Sequence, residues 1–173
     1  VPLREAIQAE LVSFTADHIP ELMSWIDSEQ ACRQWAGTWF EYPFDQHSFS
    51  RDCRWQDLPT FVLQGAKGEI LAFGQYYNRL DCCHLARLIV SPMVRGAGLG
   101  RQLVTQLVAH GSKELQLERA SLFVLKDNPR ALALYQKLGF QQCEYPEPEQ
   151  GLEICYYMVA TVKSEIGESD DAG

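Results

Sequence analysis

An apolar strand, Leu88-Ile89-Val90, stops at Ser91-Pro92 and passes through Met93-Val94-Arg95-Gly96-Ala97-Gly98 into a helix that begins Leu99-Gly100-Arg101. Glycines at alternate positions let a backbone approach a ligand closely, and the first N–H groups of a helix have no partner inside it. The stretch therefore reads as a cradle for an anion, a pyrophosphate above all. Its spacing, Gly96-x-Gly98-x-Gly100, is not the G-x-G-x-x-G of dinucleotide folds. No Gly-Lys-Ser/Thr of a nucleotide loop accompanies it.

A second group follows. Asn128 can cap a helix whose first residue, Pro129, loses nothing by lacking an N–H. Ala131, Leu134, Tyr135 and Leu138 fall on one helical face, Gly139 supplies a left-handed stop, and Phe140 can fold back on the last turn. On that face Tyr135 reads as a packed core tyrosine. Metal chemistry is not expected: the six cysteines contain no C-x-x-C pair, and the four histidines show no ligand spacing. Most cysteines read as small apolar filler in a reducing compartment, with a reactive thiol left open at Cys82 or Cys83.

The elements that must position these groups fit one domain, residues 1–162, followed by an acidic tail, 163–173, expected to be disordered. A first strand is expected over 10–14. A helix with Ile19, Leu22, Met23 and Ile26 inward comes next, then a second from Ser28 to Trp35 ended by Gly37. The run from Trp35 to Phe44 is the most aromatic segment and has no clean period. It reads equally as a core-covering connector and as an acceptor wall offering Trp35, Trp39 and Tyr42. A short helix over 46–55 precedes a hairpin of strands 60–66 and 69–78 around Lys67-Gly68. The strand 82–90 leads to the cradle. Its helix carries Leu99, Leu103, Leu107 and Val108 inward, with Gly111 near its end. A buried strand over 119–125 precedes the Asn128 helix, and strands 140–145 and 152–160, joined through Pro146-Glu147-Pro148-Glu149, complete the fold.

The coupled pattern Val90-x-Pro92-x-x-Arg95-Gly96-x-Gly98-x-Gly100 and Asn128-x-x-Ala131-x-x-x-Tyr135-x-x-x-Gly139-Phe140 resembles the GNAT superfamily of acyl-CoA-dependent N-acetyltransferases, from the first strand to Ala160. The resemblance implies an α/β fold: a mixed, mostly antiparallel sheet of six or seven strands with helices on both faces. It implies acetyl-CoA as co-substrate, its pyrophosphate held by backbone at Gly96, Ala97, Gly98, Leu99, Gly100 and Arg101. Arg95 and Arg101 then offer charge-assisted bonds to phosphate, or stand as solvated surface charges. Leu88, Ile89 and Val90 match the strand that pairs with the pantetheine arm and polarises the thioester carbonyl, where the next strand splays away. Tyr135 matches the general acid, and Asn128 a contact to the cofactor arm.

The general base is less well marked. In ribosomal-protein N-terminal acetyltransferases a glutamate stands five residues before the Asn motif; here Phe123 does, a departure that weighs against that subfamily. Histone-type members place a base where this chain has His84, which titrates in the right range or is a strand residue without duty. Asp81 and Glu41 are weaker candidates. Arg87 is unusual in an apolar run; it meets a core carboxylate or an acidic part of the acceptor.

The net charge of −8 argues against nucleic acid. No apolar run approaches a membrane span, and the opening residues lack a basic start followed by an apolar block, so a cytoplasmic location is expected. The expected partner is a small-molecule or peptide amine, with a homodimer through the late strands also open. The expected activity is acetyl transfer to a primary amine. A non-catalytic acyl-CoA-binding module is the alternative.

Overall fold

The computed structural model describes residues 7–147 and 151–162. The tail from 163 and Pro148-Glu149 lie outside the described residues. Seven strands, β1 (Glu10–Ser13), β2 (Thr60–Gln64), β3 (Ile70–Arg79), β4 (Cys82–Val90), β5 (Arg119–Leu125), β6 (Gln141–Cys143) and β7 (Cys155–Thr161), form one sheet in the order β1-β2-β3-β4-β5-β7-β6. All neighbours are antiparallel except β4 and β5, which run parallel. The helices are α1 (Ile19–Ser24), α2 (Glu29–Ala36), α3 (Gln46–Cys53), α4 (Leu99–Leu115) and α5 (Pro129–Lys137).

The sheet separates two cores. On one face Leu99, Leu103 and Leu107 of α4 pack with Leu63, Ala72, Tyr76, Leu85, Leu122 and Met158, and Ala131, Tyr135 and Leu138 of α5 join from the rim. On the other, Ile19, Leu22 and Ile26 pack with Phe49, Val62 and Phe73 under α1 to α3. Fully enclosed side chains such as Leu22, Phe49 and Phe73 each contribute roughly 1.5–3 kcal/mol against an exposed reference.

Local details refine the sequence reading. The β3–β4 hairpin turns on Leu80 and Asp81, both at positive φ (52° and 60°), the hand that matches strand twist, although neither is a glycine or asparagine. Gly111 lies inside α4 and does not end it. A Cβ there would stand 2.5 Å from Cys83 Sγ and 3.0 Å from the Tyr76 ring, so the glycine lets the helix settle on the sheet. The helix stops at Leu115, with Gln116 left-handed (φ 56°). Cys83, buried in that contact, has its thiol pushed up to about 12 by burial, which removes it as a nucleophile.

Candidate active site

The parallel strands β4 and β5 share two paired positions, Cys83 with Ala120 and His84 with Ser121. Beyond them β5 stays paired with β7 to Leu125, and β4 stays with β3 to Val90. The two strands therefore part after His84. The backbone of β4 from Leu85 onward faces a slot with no ladder partner on that side among the described residues. A bulge bends β4 there: its register against β3 passes from Ala86–Gln75 to Ile89–Phe73, which leaves one extra residue on β4. Arg87 takes up the distortion at φ 51°, and Trp35 Nε1 donates to its carbonyl at 2.8 Å. Leu88, Ile89 and Val90 all lie on the parted segment.

At the end of the slot the chain turns on Ser91, whose N–H donates to Leu71 O (2.8 Å) and whose carbonyl accepts from Val94 N (3.1 Å). Gly96 and Gly98 follow at φ 84° and 77°, with open space where a Cβ would project. Gly98 precedes α4 without a side-chain cap. The N–H groups of Gly96, Gly98, Leu99, Gly100 and Arg101 make no hydrogen bond to the described residues; the first helical bond is Gln102 N to Gly98 O. Five unpartnered donors beside a helix N-terminus on an open surface fit a pyrophosphate. Gly100 has a second task, since a Cβ there would come within 3.3 Å of Leu134 Cδ2 and separate α4 from α5. Arg95 and Arg101 are exposed at the rim.

On α5, Asn128 Oδ1 accepts from Ala131 N at 3.2 Å and caps the helix. Tyr135 packs about two helical turns from that cap, its ring 6.1 Å from that of Phe140. Burial pushes the phenol up to about 12, and its hydroxyl makes no hydrogen bond to the described residues. At neutral pH it holds its proton and has it to give.

The opposite sheet face carries an aromatic floor. His84 lies between Tyr77 and Phe123, at 5.3 and 5.0 Å between ring centroids. Phe123 continues to Tyr145 and Tyr157. Arg79 lies over Phe123 and Tyr145 and donates to the hydroxyls of Tyr145 (2.9 Å) and Tyr77 (3.1 Å). A cavity of about 390 Å³ opens beside Phe123, Lys126, Tyr145, Tyr156 and Tyr157.

Residues 29–140 match the family model described as Acetyltransferase (GNAT) family. The chain belongs to the GNAT family of acetyltransferases. An N-acetyltransferase 9-like protein of Nematostella vectensis is 26% identical over 157 residues, covering 81% of this chain and 78% of that protein. The human alpha/beta-tubulin-N-acetyltransferase 9 is 25% identical over 151 residues, covering 76% and 72%. Among solved structures, the spermidine N-acetyltransferase of Vibrio cholerae in complex with CoA and spermine superposes with a TM-score of 0.69 at 17% identity, over 89% of this chain and 95% of that one. The seven-stranded mixed sheet with helices on both faces is therefore the GNAT fold, and the protein is an N-acetyltransferase.

Within this GNAT chain the expectation of His84 as base fails on its surroundings. The ring is 2% exposed, its Nδ1 lies 2.8 Å from Ser121 Oγ, and burial, then the nearby Arg79 charge, lowers it to about 3. So weak a base cannot take a proton from an ammonium near neutral pH. Because the fold depresses the pKa, the unfolded chain binds the extra proton between about pH 6.5 and 3, and stability falls as pH drops through that window. His84→Gln is expected to lose less stability than wild type between pH 7 and 5, measured by urea unfolding, and to keep the shape of the pH–rate profile.

Asp81 stands in the β3–β4 turn, seven residues and about 20 Å along the strand from Leu88. Glu41 is exposed and paired with Arg51 at 2.8 Å. The three aromatic candidates separate: Trp35 stacks on Phe49 in the core and pins the bulge, Tyr42 leans edge-on to Phe44, and Trp39 is 95% exposed. The floor residues Tyr77, Tyr145 and Tyr157 escaped the sequence reading. Strand alternation would have put Tyr157 and Phe123 on one face, but only the β5–β7 register brings them opposite each other.

Proposed function

We propose that this protein moves the acetyl group by direct attack of a primary amine in a ternary complex, with no covalent enzyme intermediate. One observation carries the reading: the parting of β4 from β5 opens directly onto the row of unpartnered N–H groups that begins α4. Acetyl-CoA supplies an activated acyl carbonyl when bound. The N–H groups from Gly96 to Arg101 hold its pyrophosphate, and the parted backbone of Leu88, Ile89 and Val90, with Asn128, holds the arm. A β4 N–H aimed at the acyl oxygen stabilises charge as it develops there. Tyr135 keeps a proton on its phenol oxygen and gives it to the departing sulfur, and the proton shed by the acylated nitrogen returns through water to the phenolate.

The acceptor is a small-molecule or peptide amine, in keeping with relatives named for tubulin and spermidine. It reacts as the free amine, so the rate should climb with pH toward the amine's own pKa, about 10 for an alkyl amine and about 8 for a peptide N-terminus, without an inflection near 6.5. All six cysteines are free thiols, which supports a cytoplasmic setting. The test is release of free thiol from acetyl-CoA across a panel of amines and peptides. Turnover of at least one is expected; tight cofactor binding with no turnover of any would overturn the reading.

A further inference from the structure

Arg87 occupies the bulge one residue before Leu88. Its backbone is fixed by the Trp35 bond, and its guanidinium turns toward α2 and α3, 5.7 Å from the Phe40 ring centroid. One terminal nitrogen, Nη1, donates to Cys53 O (3.1 Å) and Gln75 Oε1 (2.9 Å). Gln75, fully buried, is itself locked: its Nε2 donates to Cys53 O (2.8 Å) and Thr60 Oγ1 (3.0 Å), so its oxygen is committed to the arginine. These acceptors are neutral. The acid whose field reaches Arg87, Asp52, spends its carboxylate on Arg51 (2.9 Å) and on Glu41 N (2.9 Å).

Arg87 therefore makes no ion pair among the described residues, and the expected core carboxylate is not there. A guanidinium has five N–H donors in a planar fork. Nη1 uses its two; Nε and Nη2 have no partner among the described residues, and neither is sealed in, since the enclosed orphan atom of this region is Trp55 Nε1. A half-buried cation held by neutral groups, one residue before the slot-lining Leu88 and with two fork nitrogens unpartnered among the described residues, is arranged to receive a carboxylate bidentately.

We propose that Arg87 anchors a carboxylate of the acceptor: the amine acetylated by this protein belongs to a molecule carrying a carboxylate a few bonds from that amine, an amino acid or an acidic peptide. This rests on the acetyl-transfer reading of the slot. A polyamine would place positive charge beside an arginine that makes no ion pair among the described residues, and the likeness to a spermidine enzyme is one of fold. Two matched pairs separate the sources: glycine against glycinamide, and C-terminally amidated tetrapeptides differing only by Glu or Gln at the second position.

In one pair the wild type is expected to favour the carboxylate member at least tenfold in kcat/KM referred to the free-amine concentration, through KM. The ratio should fall to within about twofold in Arg87→Gln and recover in part in Arg87→Lys, which restores charge without the fork. A mere packing role would depress both members together and leave the ratio intact. A wild type without carboxylate preference in either pair, or a preference that survives Arg87→Gln, overturns the assignment. Titration calorimetry of the same compounds into the CoA-loaded protein is run alongside. Arg87-dependent binding of the carboxylate member without turnover would sink the acetyl-transfer reading and leave the anchor standing, whereas turnover of amides or spermidine alone would do the reverse.

Discussion

Replacing Tyr135 by Phe is expected to lower kcat by about 10²- to 10³-fold while acetyl-CoA affinity stays within about twofold. The phenol is in place before any ligand arrives. Burial pushes it up to about 12, so it keeps its proton from neutral pH to about 10, the range in which the acceptor amine becomes free. A thiolate leaves more readily when the protein gives it a proton, and positioned general acids contribute ~10² to 10⁴ in rate. Phe retains the ring that packs against Phe140 and the core, so the loss falls on the proton. Single-turnover rates and calorimetric cofactor titration separate the two effects. Equal turnover in Tyr135→Phe would make the residue a packing tyrosine, and a parallel fall in cofactor affinity would point to a disturbed α5. Because the pKa is raised, the wild-type rate should not fall between pH 8 and 10 through loss of this proton.

What the sequence discloses follows from where backbone demands are strict. Gly96 and Gly98 sit at φ values that other residues resist, and Asn128, Pro129 and Gly139 begin and end a helix by their own chemistry, so the cradle and α5 could be read without coordinates. His84 shows the limit. Counting along a strand gives a position; its burial under Tyr77 and Phe123 comes from residues 7 and 39 places away, and with it the loss of basicity. The slot depends on a register change between β3 and β4 that leaves no mark in composition. Arg87 did stand out as a charge in an apolar run. That it faces neutral partners follows only once Cys53, Gln75 and Thr60 are brought together from three elements.

The cradle yields the second large effect. Gly98→Val is expected to weaken acetyl-CoA binding at least tenfold while the chain keeps its fold. At φ 77° a β-branched residue is strained by about 1–2 kcal/mol even with open space around the new side chain. If the backbone holds, the isopropyl group projects into the surface where the phosphates lie. If it relaxes, the N–H groups of Gly98 and Leu99 turn away, and each hydrogen bond lost to a charged group costs about 1.5–3 kcal/mol. Both routes weaken binding, and neither touches Tyr135 or the bulge. Gly68→Val is the matched comparison: its φ is 80°, a Cβ there would meet only Gln64 Nε2 at an ordinary contact of 3.8 Å, and it lies in the β2–β3 hairpin turn. Both variants should lower the unfolding midpoint to a similar degree, but Gly98→Val alone should lose cofactor affinity. Equal affinity in the two would mean that the unpartnered N–H groups at the start of α4 do not hold the pyrophosphate.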